Sequence, residues 1–156
     1  MNASPSSPLV PVSWGELLDK LTILEIKRAR IADAAKRANV EREYRLLRDI
    51  AAPAIEAEAT GPLLAQLKAV NEALWEIEDA IRTKEAEGDF GPGFVCLARS
   101  VYRQNDERAA LKRRLNLQLN SDLVEEKSYR EGPVFFLGET SAGRAANNEN
   151  STPVQG

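Results

Sequence analysis

The chain has 156 residues, with 21 Lys and Arg against 24 Asp and Glu, a net charge of −3, no histidine and one cysteine, Cys96. Without histidine there is no Ser-His-Asp or Cys-His nucleophile arrangement, no imidazole proton relay and no histidine-built zinc site. A single cysteine excludes an intrachain disulfide framework and a cysteine metal cluster, which fits a reducing cytosol, and a near-neutral charge argues against a general polyanion binder.

Residues 1–12 (MNASPSSPLVPV) carry Pro and Ser, no basic residue and no long apolar run, so they read as a flexible arm and not as a secretory signal. No apolar stretch approaches the ~18 residues that cross a bilayer, and the expected location is the cytoplasm. Ser13-Trp14-Gly15-Glu16 is a capping box that opens a first helix, expected to run to about Asp33. Trp14, Leu17, Leu21, Leu24 and Ile31 make its main apolar stripe, and Ile23 and Ile26 lie on a second face. A helix apolar on two sides is either central in a bundle or buried in a homodimer. The spacing of Val40, Tyr44, Leu47 and Ala51 predicts a second helix from about Asn39 toward Ala52, where Pro53 should kink or end it. Thr60-Gly61-Pro62 starts a third helix, which follows Leu63, Leu67, Val70, Leu74, Ile77 and Ile81 to about Glu87 and stops at Gly88. Gly91-Pro92-Gly93 turns the chain into a fourth helix, from about Phe94 to Leu119.

No segment of comparable length alternates as a strand. The fold class is therefore all-α: an antiparallel helical bundle of about four helices, each burying its stripe against another. Residues 13–131 form the expected bundle domain. Residues 132–156 form a C-terminal tail, low in complexity from Ser141 and expected to be mostly disordered. Within it Val134–Leu137 (VFFL) is apolar and reads as a strap docked on the domain, a strand added at a partner, or a sticky tail.

Residues 41–90 carry 12 acidic and 6 basic side chains, whereas residues 91–120 carry six basic and two acidic ones. Side by side, the third and fourth helices attract, although exposed pairs of this kind contribute only ~0–1 kcal/mol each. Only Tyr102 interleaves with the basic residues, so a base-stacking platform for nucleic acid is poorly supported.

Several polar residues fall on apolar stripes when the helices are wound at ~100° per residue. Asn105, Arg108 and Lys112 lie in the middle of the fourth helix's stripe, Arg28 lines up with Leu17, Leu21 and Leu24, Glu25 sits at that stripe's edge, and Asn71 and Glu78 flank Leu67 and Leu74. Buried without partners, such groups cost several kcal/mol apiece. One reading is a self-satisfied network, with Glu25 and Glu78 neutralising Arg28, Arg108 and Lys112. The other is an inter-helix pocket for a small anion, since two Arg and a Lys suit a carboxylate or phosphate.

The catalytic signals are weak. Glu76-x-x-Asp79 resembles half of the carboxylate set that holds Mg²⁺ in helical nucleotide pyrophosphohydrolases, but Glu41-x-Glu43 has the wrong spacing to supply the other half. No Gly-rich phosphate loop or nucleophile elbow is present, and no metal or cofactor is called for. Cys96 has no histidine to activate it and reads as a packing residue.

Four longer blocks, Trp14–Arg30 (WGELLDKLTILEIKRAR), Val70–Lys84 (VNEALWEIEDAIRTK), Leu97–Asn116 (LARSVYRQNDERAALKRRLN) and Leu123–Tyr129 (LVEEKSY), resemble an uncharacterised bacterial all-helical family classed as a domain of unknown function. The resemblance spans about residues 12–130 and leaves the tail after Gly132 outside. It implies a short helical protein, mainly of Gram-negative bacteria, encoded near glycosyltransferases for lipopolysaccharide or other surface glycans. It carries no catalytic residues to transfer. The leading expectation is therefore a helical binding or interaction module, an accessory to surface-glycan biosynthesis, whose partner is a second copy of itself or a glycan-biosynthesis protein. The alternative is a small enzyme or binder acting on an anionic sugar or nucleotide held by Glu25, Arg28, Asn71, Glu78, Asn105, Arg108 and Lys112.

Overall fold

The computed structural model describes residues 7–129. Four helices follow in order: α1 (Trp14–Arg30), α2 (Ala34–Ile55), α3 (Thr60–Glu87) and α4 (Pro92–Gln118), and the described residues contain no strand. The chain is all-α, as the three-and-four apolar spacing requires. Residues up to Glu126 form one compact unit. Of the second unit, which begins at Lys127, three residues are described, and in it the Lys127 ammonium lies 5.7 Å from the Tyr129 ring centroid. The expected tail, residues 132–156 with Val134–Leu137, lies outside the described residues.

The helix ends follow their caps. Ser13 Oγ accepts from Glu16 N at 3.1 Å and starts α1. The apolar spacing carries α1 to about Asp33, but it ends at Arg30 because Asp33 caps the next helix, accepting from Lys36 N at 2.8 Å. That cap also starts α2 at Ala34, five residues before the expected Asn39. Residues 34–39 are all exposed, so no apolar stripe marks them. Pro53 does not end α2. It sits inside the last turn, and the helix continues to Ile55. Gly88 stops α3 in the left-handed region (φ 67°), which glycine adopts without strain. Gly91 N-caps α4 with Pro92 in its first turn, two residues before the expected Phe94.

Helix α1 is the centre. It packs against α2, α3 and α4, while α3 and α4 pair as a long antiparallel hairpin and α2 touches α3 only slightly. The main apolar face of α1 is covered within the chain, and on the second face Ile26 is buried while Ile23 stays partly exposed. Leu18, Leu67 and Leu115 are wholly buried, one each from α1, α3 and α4. Burying such a side chain stabilises the fold by about 1.5–3 kcal/mol.

Helix α4 approaches α1 closely at Gly15. A Cβ there would lie 2.5 Å from the Lys112 carbonyl oxygen and 2.9 Å from Asn116 Oδ1. The contact is held by a hydrogen bond of 2.6 Å from Gly15 N to Asn116 Oδ1, and beside it Trp14 N donates to Ser121 Oγ at 3.2 Å.

Candidate functional site

The polar interior centres on Asp19. Gly15, Leu18, Asp19, Thr22 and Ile26 recur at helical spacing on one face of α1 and are all buried. The Asp19 side chain is 2% exposed. Oδ1 accepts from Asn71 Nδ2 at 2.8 Å and from Arg108 Nε at 2.9 Å, and Oδ2 accepts from Arg108 Nη2 at 2.5 Å. Arg108 thus grips Asp19 with two nitrogens, the geometry that a planar guanidinium offers a carboxylate. Asn71 also donates to Thr22 Oγ1 at 2.8 Å, and the Thr22 hydroxyl in turn donates to the Asp19 carbonyl. One carboxylate therefore ties α1 to both α3 and α4.

Lys112 lies one turn farther along α4, its side chain 10% exposed. Its ammonium donates to Glu16 Oε2 at 2.6 Å and Glu125 Oε2 at 3.1 Å, with Asp19 Oδ2 at 3.9 Å. Burial is the largest influence on Lys112 and pulls its pKa down, but the carboxylates of Glu16, Glu125 and Asp19 outweigh it and hold the group above its ordinary value. The hydrogen bond from Arg108 to Asp19 raises the guanidinium likewise, against the opposite pull of burial. Both cations are held in their charged forms at neutral pH, so neither is poised as a general base.

The seven residues singled out by helical winding do not converge. Asn71, Asn105 and Arg108 come together around Asp19, with Asn105 Oδ1 3.5 Å from Arg108 Nη1. Lys112 stands beside them in its own cluster of carboxylates. Glu25 and Arg28 lie elsewhere, in a cleft of about 730 Å³ between α1 and α2 that Arg37, Glu41, Tyr44 and Lys68 help to line. There Arg28 donates to both oxygens of Glu41, at 2.6 and 3.3 Å, and stacks 4.1 Å from the Tyr44 ring centroid. Desolvation raises the Glu41 pKa, but hydrogen bonds from Arg28 and Arg45 overcome it and leave the carboxyl below its ordinary value. Glu25 pairs with Lys68 at 3.1 Å. Glu78 is exposed and meets Arg82, one turn along its own helix, at 3.4 Å.

The expected pairing is therefore corrected. Neither Glu25 nor Glu78 neutralises Arg28, Arg108 or Lys112. The carboxylates that do are Asp19, Glu16, Glu125 and Glu41. A groove of about 550 Å³ opens beside Arg108, floored by Ile23, Leu74 and Trp75 and edged by Asn105, Glu78, Asp79 and Arg82. Among the described residues no three or more of His, Cys, Asp and Glu gather to hold a metal ion. Nor is any helix among them long and apolar enough to cross a membrane. Cys96 is exposed.

Fold and interior together define, among the described residues, a unit of four helices in which one buried carboxylate from the central helix is gripped by amide and guanidinium groups of the two helices of a hairpin. The chain belongs to DUF6165, a family of unknown function whose model matches residues 9–138. The match runs through Val134–Leu137, farther than the blocks ending at Tyr129 suggest, so that apolar segment belongs to the family's shared region. No curated protein and no solved structure matches the chain.

Proposed function

We propose that this protein is a non-catalytic helical interaction module whose polar interior fixes how its helices pack, leaving recognition to the outer helix surfaces. The observation that carries this reading is the two-nitrogen grip of Arg108 on Asp19, a carboxylate 2% exposed. A guanidinium held this way has its carboxylate already, and an anionic ligand would have to displace a buried internal partner. Lys112 is occupied in the same manner by Glu16 and Glu125. The resemblance to proteins encoded beside glycosyltransferases supports, as part of the same proposal, a cytoplasmic role in bacterial surface-glycan assembly.

The groove beside Arg108 favours a second reading, a small anionic sugar or nucleotide bound at Arg108 Nη1 and Asn105. A thermal-shift screen of nucleotide sugars, sugar phosphates and small carboxylates decides between them. A ligand at ~100 times its Kd stabilises by about 2.7 kcal/mol, a readily measured rise in Tm. The interaction module predicts a flat screen. A rise that disappears in Arg108→Met overturns it in favour of the anion site.

A further inference from the structure

The α3–α4 hairpin is longer than the helix that covers it. At 1.5 Å per residue α3 and α4 are ~42 and ~40 Å long, but α1 is only ~25 Å. Helix α1 ends alongside Glu76, which Arg30 meets in an ion pair. Beyond it the hairpin has no other helix against it, because α2 makes no contact with α4 and barely touches α3. Among the described residues, none from Glu72 to Ala110 is buried, although this stretch holds Ile77, Ile81, Phe94, Leu97 and Val101 at core spacing. Val95 and Tyr102 are about half exposed, at 48% and 50%. They sit two turns apart on α4, and Ala98 lies between them on the same side. Two helices cannot enclose a core by themselves, because each stripe keeps an open flank.

We infer that this distal arm pairs with the same arm of a second copy of the chain, the two hairpins closing an antiparallel four-helix bundle about a two-fold axis that runs along the bundle. Charge selects this occupant. Along the arm, residues 75–87 of α3 carry five carboxylates and two cations, while residues 92–105 of α4 carry Arg99 and Arg103 and no carboxylate. The arm therefore presents an acid-rich helix beside a basic one, and a two-fold pairing lays each α3 against the partner's α4. Opposite signs meet at both seams, as in an isologous interface. The size also fits. A face ~24 Å long and two helix diameters of ~10 Å wide covers roughly 500 Å² per copy, on the order of 1,000 Å² for the pair, the lower bound for a specific interface. This is the size of a reversible dimer.

Pairing through the arm is independent of whether the Asp19 interior is a scaffold or an anion site. Sedimentation equilibrium of the full chain, from micromolar to millimolar, tests it. The mass should climb from 17.2 kDa toward twice that value. High salt should weaken the association by screening the seams. Val95→Glu and Tyr102→Glu put a carboxylate into the apolar centre and should weaken association about tenfold or more. Both positions are solvent-facing in the single chain, so helicity measured at dilution should stay at the parent value. Leu46→Glu and Ile50→Glu, on the exposed face of α2, should leave the mass curve unchanged. A chain that remains monomeric throughout overturns the inference. A dimer indifferent to Val95→Glu and Tyr102→Glu, or one dissolved by the α2 variants, overturns it as well.

Discussion

Replacing Arg108 with Met keeps the apolar stem of the side chain and removes the guanidinium. Asp19 then retains the Asn71 amide at 2.8 Å and Lys112 at 3.9 Å, in a site where its side chain is 2% exposed. Breaking a buried pair by deleting one partner costs about 3–5 kcal/mol, and the residual Lys112 contact places this case near ~3 kcal/mol. For a domain whose whole stability is on the order of 5–15 kcal/mol, that is a large fraction. With roughly 3–5 °C per kcal/mol at this chain length, Tm should fall by about 10–15 °C. Urea unfolding followed by far-UV circular dichroism, with calorimetry beside it, gives the number. The double variant Asp19→Leu, Arg108→Met removes both charges and should recover to within about 1 kcal/mol of the parent. An Arg108→Met protein within ~0.5 kcal/mol of the parent, or more stable than it, would refute the claim that this pair holds the fold together.

Three further outcomes follow from the same geometry. Gly15→Ala drives a methyl to 2.5 Å from the Lys112 carbonyl, so the backbones of α1 and α4 must separate; urea unfolding should show a loss of about 1–3 kcal/mol. Asn116→Ala leaves the buried Gly15 N–H without an acceptor, and the same assay should register about 1–3 kcal/mol. Lys112 titrates above its ordinary value of 10.5 in the folded chain, so its contribution is complete at neutral pH and is lost as pH rises through the folded pKa. Stability measured from pH 8 upward should therefore fall more gently in Lys112→Met than in the parent, and parallel curves would contradict the assignment.

The helix count and hairpin order could be read from the residues because apolar positions three and four apart mark any helix that buries a stripe. The start of α2 escaped that logic. Residues 34–39 bury nothing, and only the Asp33 cap announces them. Winding the helices correctly placed Asn71 and Lys112 inside, but it also pointed to Glu78, which is exposed. A wheel gives the direction in which a side chain leaves its helix, not how far along that helix a neighbour extends. Glu78 has an inward direction at a level where α1 has nearly ended. Partner choice was hidden for a related reason: Asp19 and Arg108 stand 89 residues apart, and only the crossing of α1 over the hairpin brings them together. The trace that reveals Asp19 is the buried stripe of Gly15, Leu18, Asp19, Thr22 and Ile26, in which small and polar groups alternate with Leu18 and Ile26.

The path of the chain also orders its folding. The hydrogen bonds that join α1 to α4 span 89 to 101 residues, whereas α3 and α4 are linked by a tight turn. A nascent chain emerging from the ribosome can pair α1 with α2 early, but Asp19 stays without its guanidinium until α4 has been synthesised. Closing so long a loop is entropically slow, and local hairpins form first. Docking of the last helix onto the first is thus the expected late event, and stalled chains lacking α4 should be open to protease within α1.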